Sequence, residues 1–202
     1  MKSDQDVLKA LLREDLASFI AKTFATVDGS QRFLSNWHIE LMAHHLEKAF
    51  RRETTRLLIT LPPRHLKSIC ASVAFPAWVM GKDPSARIIC ASYSAELAGK
   101  HARDSRAVME SPWYRGAFPG TRLNRKKSAE ADFETTARGF RLSTSVGGTL
   151  TGRGGNFLII DDPIKPTDAL SEAKRTTVRD WFDGTLYSRL NDKRNDVIIL
   201  IM

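Results

Sequence analysis

The segment Arg56-Leu-Leu-Ile-Thr-Leu-Pro-Pro-Arg-His-Leu-Lys-Ser68 decides the fold class of this chain. It begins with a short apolar run of the kind that forms a buried strand, and a helix-like stretch from Ile69 to Met80 follows it. A strand, a turn and then Lys-Ser at the start of a helix is an arrangement in which backbone N–H groups hold phosphate oxygens. In that arrangement Lys67 reaches the outer phosphates, and the hydroxyl of Ser68 binds Mg²⁺. The segment therefore predicts a phosphate-binding loop.

The loop departs from the usual pattern at both glycine positions. The pattern G-x-x-x-x-G-K-[ST] would place glycine where this chain has Leu61 and Leu66. Glycine lets a backbone curl tightly and approach a phosphate, whereas leucine must do so with a β-carbon. The alternative is an ordinary strand-to-helix loop with a surface lysine. The residues predicted to line a nucleotide here are Pro63, Arg64, His65, Leu66, Lys67 and Ser68.

A second apolar strand ends in two carboxylates. The run Phe157-Leu-Ile-Ile160 is followed by Asp161 and Asp162. A Walker B strand presents an aspartate to Mg²⁺ in this way, so Asp161 is a candidate metal ligand and Asp162, the next acid, a candidate for orienting the attacking water. An acidic turn after a strand is the alternative. Both motifs follow predicted parallel strands, and ligands bind at the carboxyl ends of such strands.

Uniformly apolar strands that alternate with helices predict an α/β fold, with a mostly parallel central sheet flanked by helices. The predicted strands are 57–61, 87–92, 157–160 and 197–202, with a polar-faced hairpin at 133–136 and 139–144. The predicted helices are 5–22, then 36–50 with Trp37, Leu41, Leu46 and Phe50 inward, 69–80, 94–109 and 168–190, and residues 111–127 form a surface excursion.

The totals narrow the class of protein. Of 202 residues, 42% are apolar, which makes wholesale disorder improbable. No apolar run approaches the roughly 18 residues that span a bilayer. Two cysteines, Cys70 and Cys90, exclude a disulfide framework and favour the cytosol. A net charge of +8 suits a polyanion such as nucleic acid, or serves solubility alone.

Several motifs in one order resemble the ATPase half of phage terminase large subunits, the motors that package double-stranded DNA into procapsids. The segments that carry the resemblance are Leu61–Ser68, Ala91–Ala98, Met109–Tyr114, Gly148–Gly154 and Leu158–Pro163, and it covers about residues 33–202. It implies a P-loop NTPase fold of the ASCE type with an N-terminal helical extension, and ATP and Mg²⁺ as cofactors. Residues 1–33 would form the helical segment and 34–202 the ATPase domain.

The resemblance also assigns roles to residues. It places Lys67 and Ser68 on phosphate and Mg²⁺, Asp161 as the Walker B acid and Asp162 as the catalytic carboxylate. Arg64 resembles the arginine that stabilises charge on the transferred phosphate.

Two further assignments stay open. Trp37-His38 resembles the segment that contacts adenine, although a tryptophan in a helix is more often core. Arg153 lies in a glycine-rich loop and has three possible roles: a finger reaching a neighbouring subunit's nucleotide, a DNA phosphate contact, or part of a solvated turn.

The implied partners are double-stranded DNA, the terminase small subunit and the portal protein, with a homo-oligomeric ring in the host bacterial cytoplasm and no membrane. The chain stops in an apolar run, Val197 to Met202, so we expect a C-terminally incomplete ATPase domain without the family's nuclease domain. The leading function is ATP-driven DNA translocation. The alternatives are a catalytically impaired prophage remnant that only binds DNA or assembles, and another helicase-like P-loop ATPase.

Overall fold

A mainly parallel sheet forms the centre of the protein. The computed structural model describes residues 3–150 and 152–202, apart from the side chains of residues 125, 127 and 128. Within them, the strands are β1 (Arg56–Ile59), β2 (Arg87–Ser92), β3 (Leu123–Ser128), β4 (Asp132–Thr135), β5 (Phe140–Ser145), β6 (Phe157–Asp161) and β7 (Val197–Ile201). They form one sheet in the order β1-β7-β6-β2-β5-β4-β3. The first five strands of that order are parallel, and β4 and β3 are antiparallel additions.

Helices flank this sheet. They are α1 (Asp4–Glu14), α2 (Leu16–Val27), α3 (Trp37–Phe50), α4 (Phe75–Lys82), α5 (Ala95–Glu110), α6 (Pro112–Ala117) and α7 (Glu172–Trp181). A π-helical turn, Ile69–Ala74, leads into α4, and a second, Phe182–Leu186, follows α7 and continues into a 3₁₀ turn, Tyr187–Arg189. The predicted α/β class is confirmed.

Alternate residues of each buried strand face two separate cores, because successive side chains of a strand point to opposite faces. Ile88 and Cys90 join a large core that also contains residues of α1 to α4 and α6. Ile89 and Ala91 join a smaller core on the opposite face, with Trp181 at the end of α7. β2, β6 and β7 are buried on both faces, which explains their uniformly apolar sequences. β1 was predicted to be buried as well, but it lies at an edge of the sheet and its Leu58 is 58% exposed.

The structure corrects the prediction in the stretch between α5 and β6. Residues 111–127 are not only a surface excursion, because they contain α6, with a fully buried Tyr114, and most of β3. The strand was missed because Leu-Asn-Arg-Lys-Lys-Ser has no apolar alternation. The predicted hairpin is present as β4 and β5, and β5 also pairs in parallel with β2, so it belongs to the central sheet.

Helix α3 corrects the prediction of its buried face. Asn36 caps it as expected, but Trp37 is 68% exposed and Leu41 is 47% exposed. Leu46 is buried as predicted, and Phe50 is partly buried against the core. The other buried positions are Ile39, Met42, Ala43 and Ala49, which also repeat at helical spacing.

The predicted helix at residues 5–22 is two helices. Asp15 breaks it with an extended backbone, ends α1 and caps α2, and its carboxylate accepts the N–H of Ser18 at 2.7 Å. The N–H of Leu16 reaches Glu47 of α3 at 2.9 Å. The two short helices can therefore both pack on the main core, to which Leu12, Leu16 and Phe19 contribute.

Over the described part of the chain, no helix combines the length and the apolar character that crossing a bilayer requires.

We predict that Asp15→Ala lowers the free energy of unfolding by about 1 kcal/mol, because the N–H of Ser18 in the first turn of α2 loses its side-chain acceptor. Asp15→Asn is the matched control and retains most of the stability, since asparagine caps helices as well as aspartate does. Urea unfolding of the two variants measures the difference. Equal stability of Asp15→Ala and the unsubstituted chain would contradict a capping role.

Candidate functional site

The two sequence motifs meet at the carboxyl edge of the sheet. β7 lies between β1 and β6, and its Ile201 pairs with Ile59 on one side and with Asp161 on the other. Because neighbouring strands lie about 4.8 Å apart, the end of β1 and the end of β6 are roughly 10 Å apart. The loop after β1 therefore reaches the two aspartates directly.

The loop after β1 has a left-handed backbone at position 66, where the usual pattern has the glycine that favours this conformation. Leu66 has φ 60° and Arg64 has φ 66°. A residue with a β-carbon in this region costs about 1–2 kcal/mol. The side chain of Leu66 is half-buried against the main core, which offsets part of that cost, and its carbonyl accepts the N–H of Cys70 at 2.9 Å as the helix starts. Leucine at position 66 is thus compatible with the curled loop.

Lys67 points at the second carboxylate. Its Nζ donates to Oδ1 of Asp162 at 3.0 Å, and the lysine side chain is only 11% exposed. Asp162 also has a left-handed backbone, with φ 46°. Its N–H donates to Ile201 and its carbonyl accepts from Tyr93, so the ends of two neighbouring strands hold it in place.

Asp161 is the buried member of the pair. Ser68 Oγ donates to its Oδ1 at 3.1 Å, and Ser72 Oγ donates to its Oδ2 at 2.6 Å. Nδ1 of His101 lies 3.5 Å from the same Oδ2. Burial raises the pKa of Asp161, and the hydrogen bonds from Ser72 and Ser68 oppose that rise. A buried carboxylate with hydroxyl donors on both oxygens is the result.

The ring of His101 is neutral at neutral pH. Burial is the main cause that lowers the pKa of His101 to about 4, and the nearby positive charges of Arg141 and Lys100 lower it further. Arg141 is itself fully buried, and burial lowers the pKa of its guanidinium. A second layer of polar groups therefore lies behind Asp161.

The oxygen atoms at this edge fit Mg²⁺. Two adjacent ligands of an octahedral Mg²⁺ ion, each about 2.1 Å from it, are about 3.0 Å apart. The observed separation of Ser68 Oγ and Asp161 Oδ1 is 3.1 Å. Among the described residues no group of three or more His, Cys, Asp or Glu could hold a metal alone. A site with one carboxylate and one hydroxyl matches Mg²⁺ that completes its shell with water and phosphate oxygens.

A cleft of about 270 Å³ opens beside these groups, lined by Pro63, Arg64, Leu66, Lys67, Ser68, Ile69 and Asp162. Arg64 makes no hydrogen bond or ion pair with the residues that the structure describes, so its charge is free to act in the cleft. The ring of His65 lies 5.4 Å from that of His38, and His38 lies 6.1 Å from Trp37. The start of α3 thus places an exposed indole near the loop.

Arg153 lies away from this cluster. Its guanidinium pairs with Asp132 and with Glu134, and stands 4.0 Å over the ring of Phe140. Phe140 pairs with Arg87, the first residue of β2, whereas Asp161 pairs with Ser92, its last. Five residues along a strand correspond to roughly 17 Å, so Arg153 is anchored near the opposite edge of the sheet.

Sequence reasoning missed Ser72, His101 and Arg141. Ser72 follows Ser68 by four residues on one helix, so both side chains face the same way, and that spacing could have been noticed. His101 and Arg141 reach the site from α5 and β5, and nothing in the local sequence marks them.

Comparison with known proteins supports the architecture. A match to solved structures is the crystal structure of the large terminase of bacteriophage HK97, with a TM-score of 0.55. The fold resembles that of a phage large terminase. Sequence identity is 10%, and the match covers 94% of this chain and 37% of that one, so this chain spans well under half of the solved protein's length. Protein-family models give no match to this chain, and neither do curated proteins.

We predict that Leu66→Gly is more stable than Leu66→Ala by about 1 kcal/mol, because both lose the leucine side chain but only glycine escapes the left-handed strain. At positions with a negative φ the alanine variant is the more stable one, since glycine loses more conformational entropy on folding. Thermal or urea unfolding of the pair measures it. If the alanine variant is the more stable one, the loop does not have this backbone in solution.

Proposed function

We propose that this chain is the ATP-hydrolysing part of a phage DNA-packaging terminase. The observation that carries this is the pairing of Lys67 with Asp162 and of Ser68 with Asp161 across a single intervening strand. In P-loop enzymes a lysine, a hydroxyl and acidic residues of this kind hold the phosphates, the metal and the water. The similarity to the solved terminase fold supports the same function.

The strand order supports the ASCE type of P-loop fold. In that branch the strand with the metal-holding acid is separated from the P-loop strand by one other strand. Here β7 occupies that place between β1 and β6. The order thus agrees with an enzyme in which an acid next to the Walker B residue orients water, and Asp162 is that acid.

The loop and the start of the following helix would hold the phosphates. Backbone N–H groups of residues 64–68 and the Lys67 ammonium neutralise phosphate charge, and Arg64 adds a cation in the same cleft. When bound, Mg²⁺ supplies a Lewis acid for the phosphoryl oxygens, and Ser68 and Asp161 are the residues that would hold it.

Asp162 would orient and deprotonate the attacking water. When a phosphate replaces Asp162 as the partner of the Lys67 ammonium, the carboxylate of Asp162 becomes free to accept a hydrogen bond from that water. Its position is set by the backbone hydrogen bonds to Ile201 and Tyr93, which do not depend on Lys67. Asp162 can therefore exchange one partner for another without moving its main chain.

The nucleotide base would lie on α3. Trp37 is 68% exposed at the start of that helix, and the ring contacts through His38 and His65 connect it to the loop. A large exposed aromatic surface is a suitable platform for stacking a purine. Its exposure favours the adenine role over the core role that was its alternative.

The partners follow from the same proposal. A net charge of +8 suits double-stranded DNA, and the packaging role brings a terminase small subunit, a portal protein and a ring of identical subunits in the host bacterial cytoplasm. Arg153 could serve a neighbouring subunit only by leaving Asp132 and Glu134, so its role as a trans-acting finger stays a prediction.

We predict that Lys67→Ala weakens Mg²⁺-ATP binding by about tenfold or more, because the lost ammonium makes charge-assisted hydrogen bonds to phosphate. Calorimetry measures this binding.

We predict that Asp162→Asn keeps Mg²⁺-ATP binding within about threefold but slows ATP hydrolysis by roughly a hundredfold or more. The rate of phosphate release measures the hydrolysis.

The matched controls are Lys174→Ala and Asp180→Asn, which remove the same charges from exposed positions of α7. Neither control changes binding or turnover. Equal binding by Lys67→Ala and Lys174→Ala would overturn the nucleotide site. Binding by the unsubstituted chain without turnover would favour the alternative of an impaired DNA-binding or assembly fragment.

We predict that Trp37→Ala weakens ATP binding by about fivefold or more, because stacking of a base on an aromatic ring contributes about 1–3 kcal/mol. Binding of inorganic triphosphate, which has no base, stays the same. Leu41→Ala, on the same helix and also exposed, is the control and affects neither ligand. If Trp37→Ala weakens the binding of ATP and of triphosphate equally, the base does not stack on Trp37.

A further inference from the structure

The carboxylate of Asp161 has one oxygen toward the cleft and one toward the interior. Oδ1 accepts a hydrogen bond from the hydroxyl of Ser68, a residue that lines the cleft. Oδ2 accepts a hydrogen bond from the hydroxyl of Ser72 at 2.6 Å and lies near the ring of His101. Ser72 is 1% exposed and His101 is 7% exposed. Oδ1 can therefore exchange a hydroxyl for an ion, while Oδ2 is held by groups that do not reach the cleft.

Ser72 is held from behind by a side chain of β5. It lies in the π-helical turn Ile69–Ala74, and the donor that its carbonyl would have in an α-helix is the N–H of residue 76. Pro76 has no N–H. Nη2 of Arg141 donates to this carbonyl at 3.0 Å instead. The guanidinium thus supplies a donor at a carbonyl whose usual α-helical donor is missing.

Arg141 is the largest fully buried side chain of the described residues. Its Nη1 donates to Ser143, so the planar group is fixed at two ends. Asp161 and Asp104 both attract its charge through space. An arginine stays ionised in proteins, so a permanent positive charge lies behind the buried carboxylate.

Building on the function proposed above, we propose that Ser72 and Arg141 are positioning residues for Mg²⁺ binding. Ser72 fixes the carboxylate of Asp161 through Oδ2, so that Oδ1 faces the ion. Arg141 fixes Ser72 through its carbonyl. Neither residue touches nucleotide or metal, and both act through Asp161. Groups behind a metal ligand commonly set metal affinity in this way.

The test compares two buried serines. Ser72→Ala removes the hydroxyl that holds Oδ2, and Ser105→Ala removes a hydroxyl on α5 that is equally buried and has no hydrogen-bond partner among the described residues. ATP binding is measured by calorimetry in EDTA and over a series of Mg²⁺ concentrations, with thermal unfolding as a check of folding.

We expect Ser72→Ala to need about tenfold more Mg²⁺ for half-maximal enhancement of ATP binding, while binding in EDTA stays within about twofold. Ser105→Ala changes neither value. Mg²⁺ dependence of Ser72→Ala that matches the unsubstituted chain overturns the positioning role. An equal shift in both serine variants also overturns it, because the effect would then come from core packing.

If the Ser72→Ala chain does not fold, a second variant tests the same proposal. Arg141→Lys keeps the charge but cannot donate to Ser72 and Ser143 together in the same planar geometry. We expect a Mg²⁺ shift of about threefold in the same direction, since positioning is lost and charge is kept. No shift overturns the proposal.

The outcomes separate this inference from the proposed function. An unsubstituted chain that binds no ATP, with or without Mg²⁺, overturns the function and the positioning role together. An unsubstituted chain that binds ATP with Mg²⁺, alongside variants with unchanged Mg²⁺ dependence, overturns the positioning role alone.

Discussion

A carboxyl group buried at the end of a central strand governs the layout of the site. Asp161 is 2% exposed, and removing a carboxylate from water is costly unless donors surround it. Ser68 and Ser72 provide two of those donors from one helix face. The helix after the loop must therefore begin directly against β6, and this requirement sets where the loop itself can lie.

The second constraint is backbone strain near the same carboxylate. Arg64, Leu66 and Asp162 all have positive φ values and are not glycine. Such residues cluster at functional sites when the surroundings hold them in place. Here the surroundings are visible: Leu66 packs on the main core, and strand ends hold both backbone groups of Asp162. Three of the five non-glycine residues with positive φ in the described part of the chain thus lie at the cleft, and the other two, Arg52 and Arg138, lie in turns elsewhere.

Local patterns in the sequence were enough for most of the architecture. Apolar runs predicted β2, β6 and β7 within one or two residues, because strands buried on both faces need uninterrupted apolar residues. The capping residues Asn36 and Ser94 predicted the starts of two helices.

Features that depend on tertiary packing could not be predicted in the same way. Trp37 and Leu41 of α3 were assigned to the core incorrectly because they repeat at the same spacing as the true core positions, whereas Leu46 was assigned correctly. Lys67 and Asp162 could be assigned to one site because each belongs to a local motif, and they lie 3.0 Å apart. Arg141 meets Ser72 from 69 residues away and has no motif around it.

The far end of the sheet has a further consequence. β3 is an edge strand whose sequence, Leu-Asn-Arg-Lys-Lys-Ser, carries three consecutive basic residues. An edge strand exposes unpaired N–H and C=O groups that another chain could extend into a larger sheet. The exposed Lys126 puts a charge on this edge, and a charged side chain on an edge strand disfavours pairing with a second copy. The strand can therefore complete the sheet and still discourage aggregation between molecules.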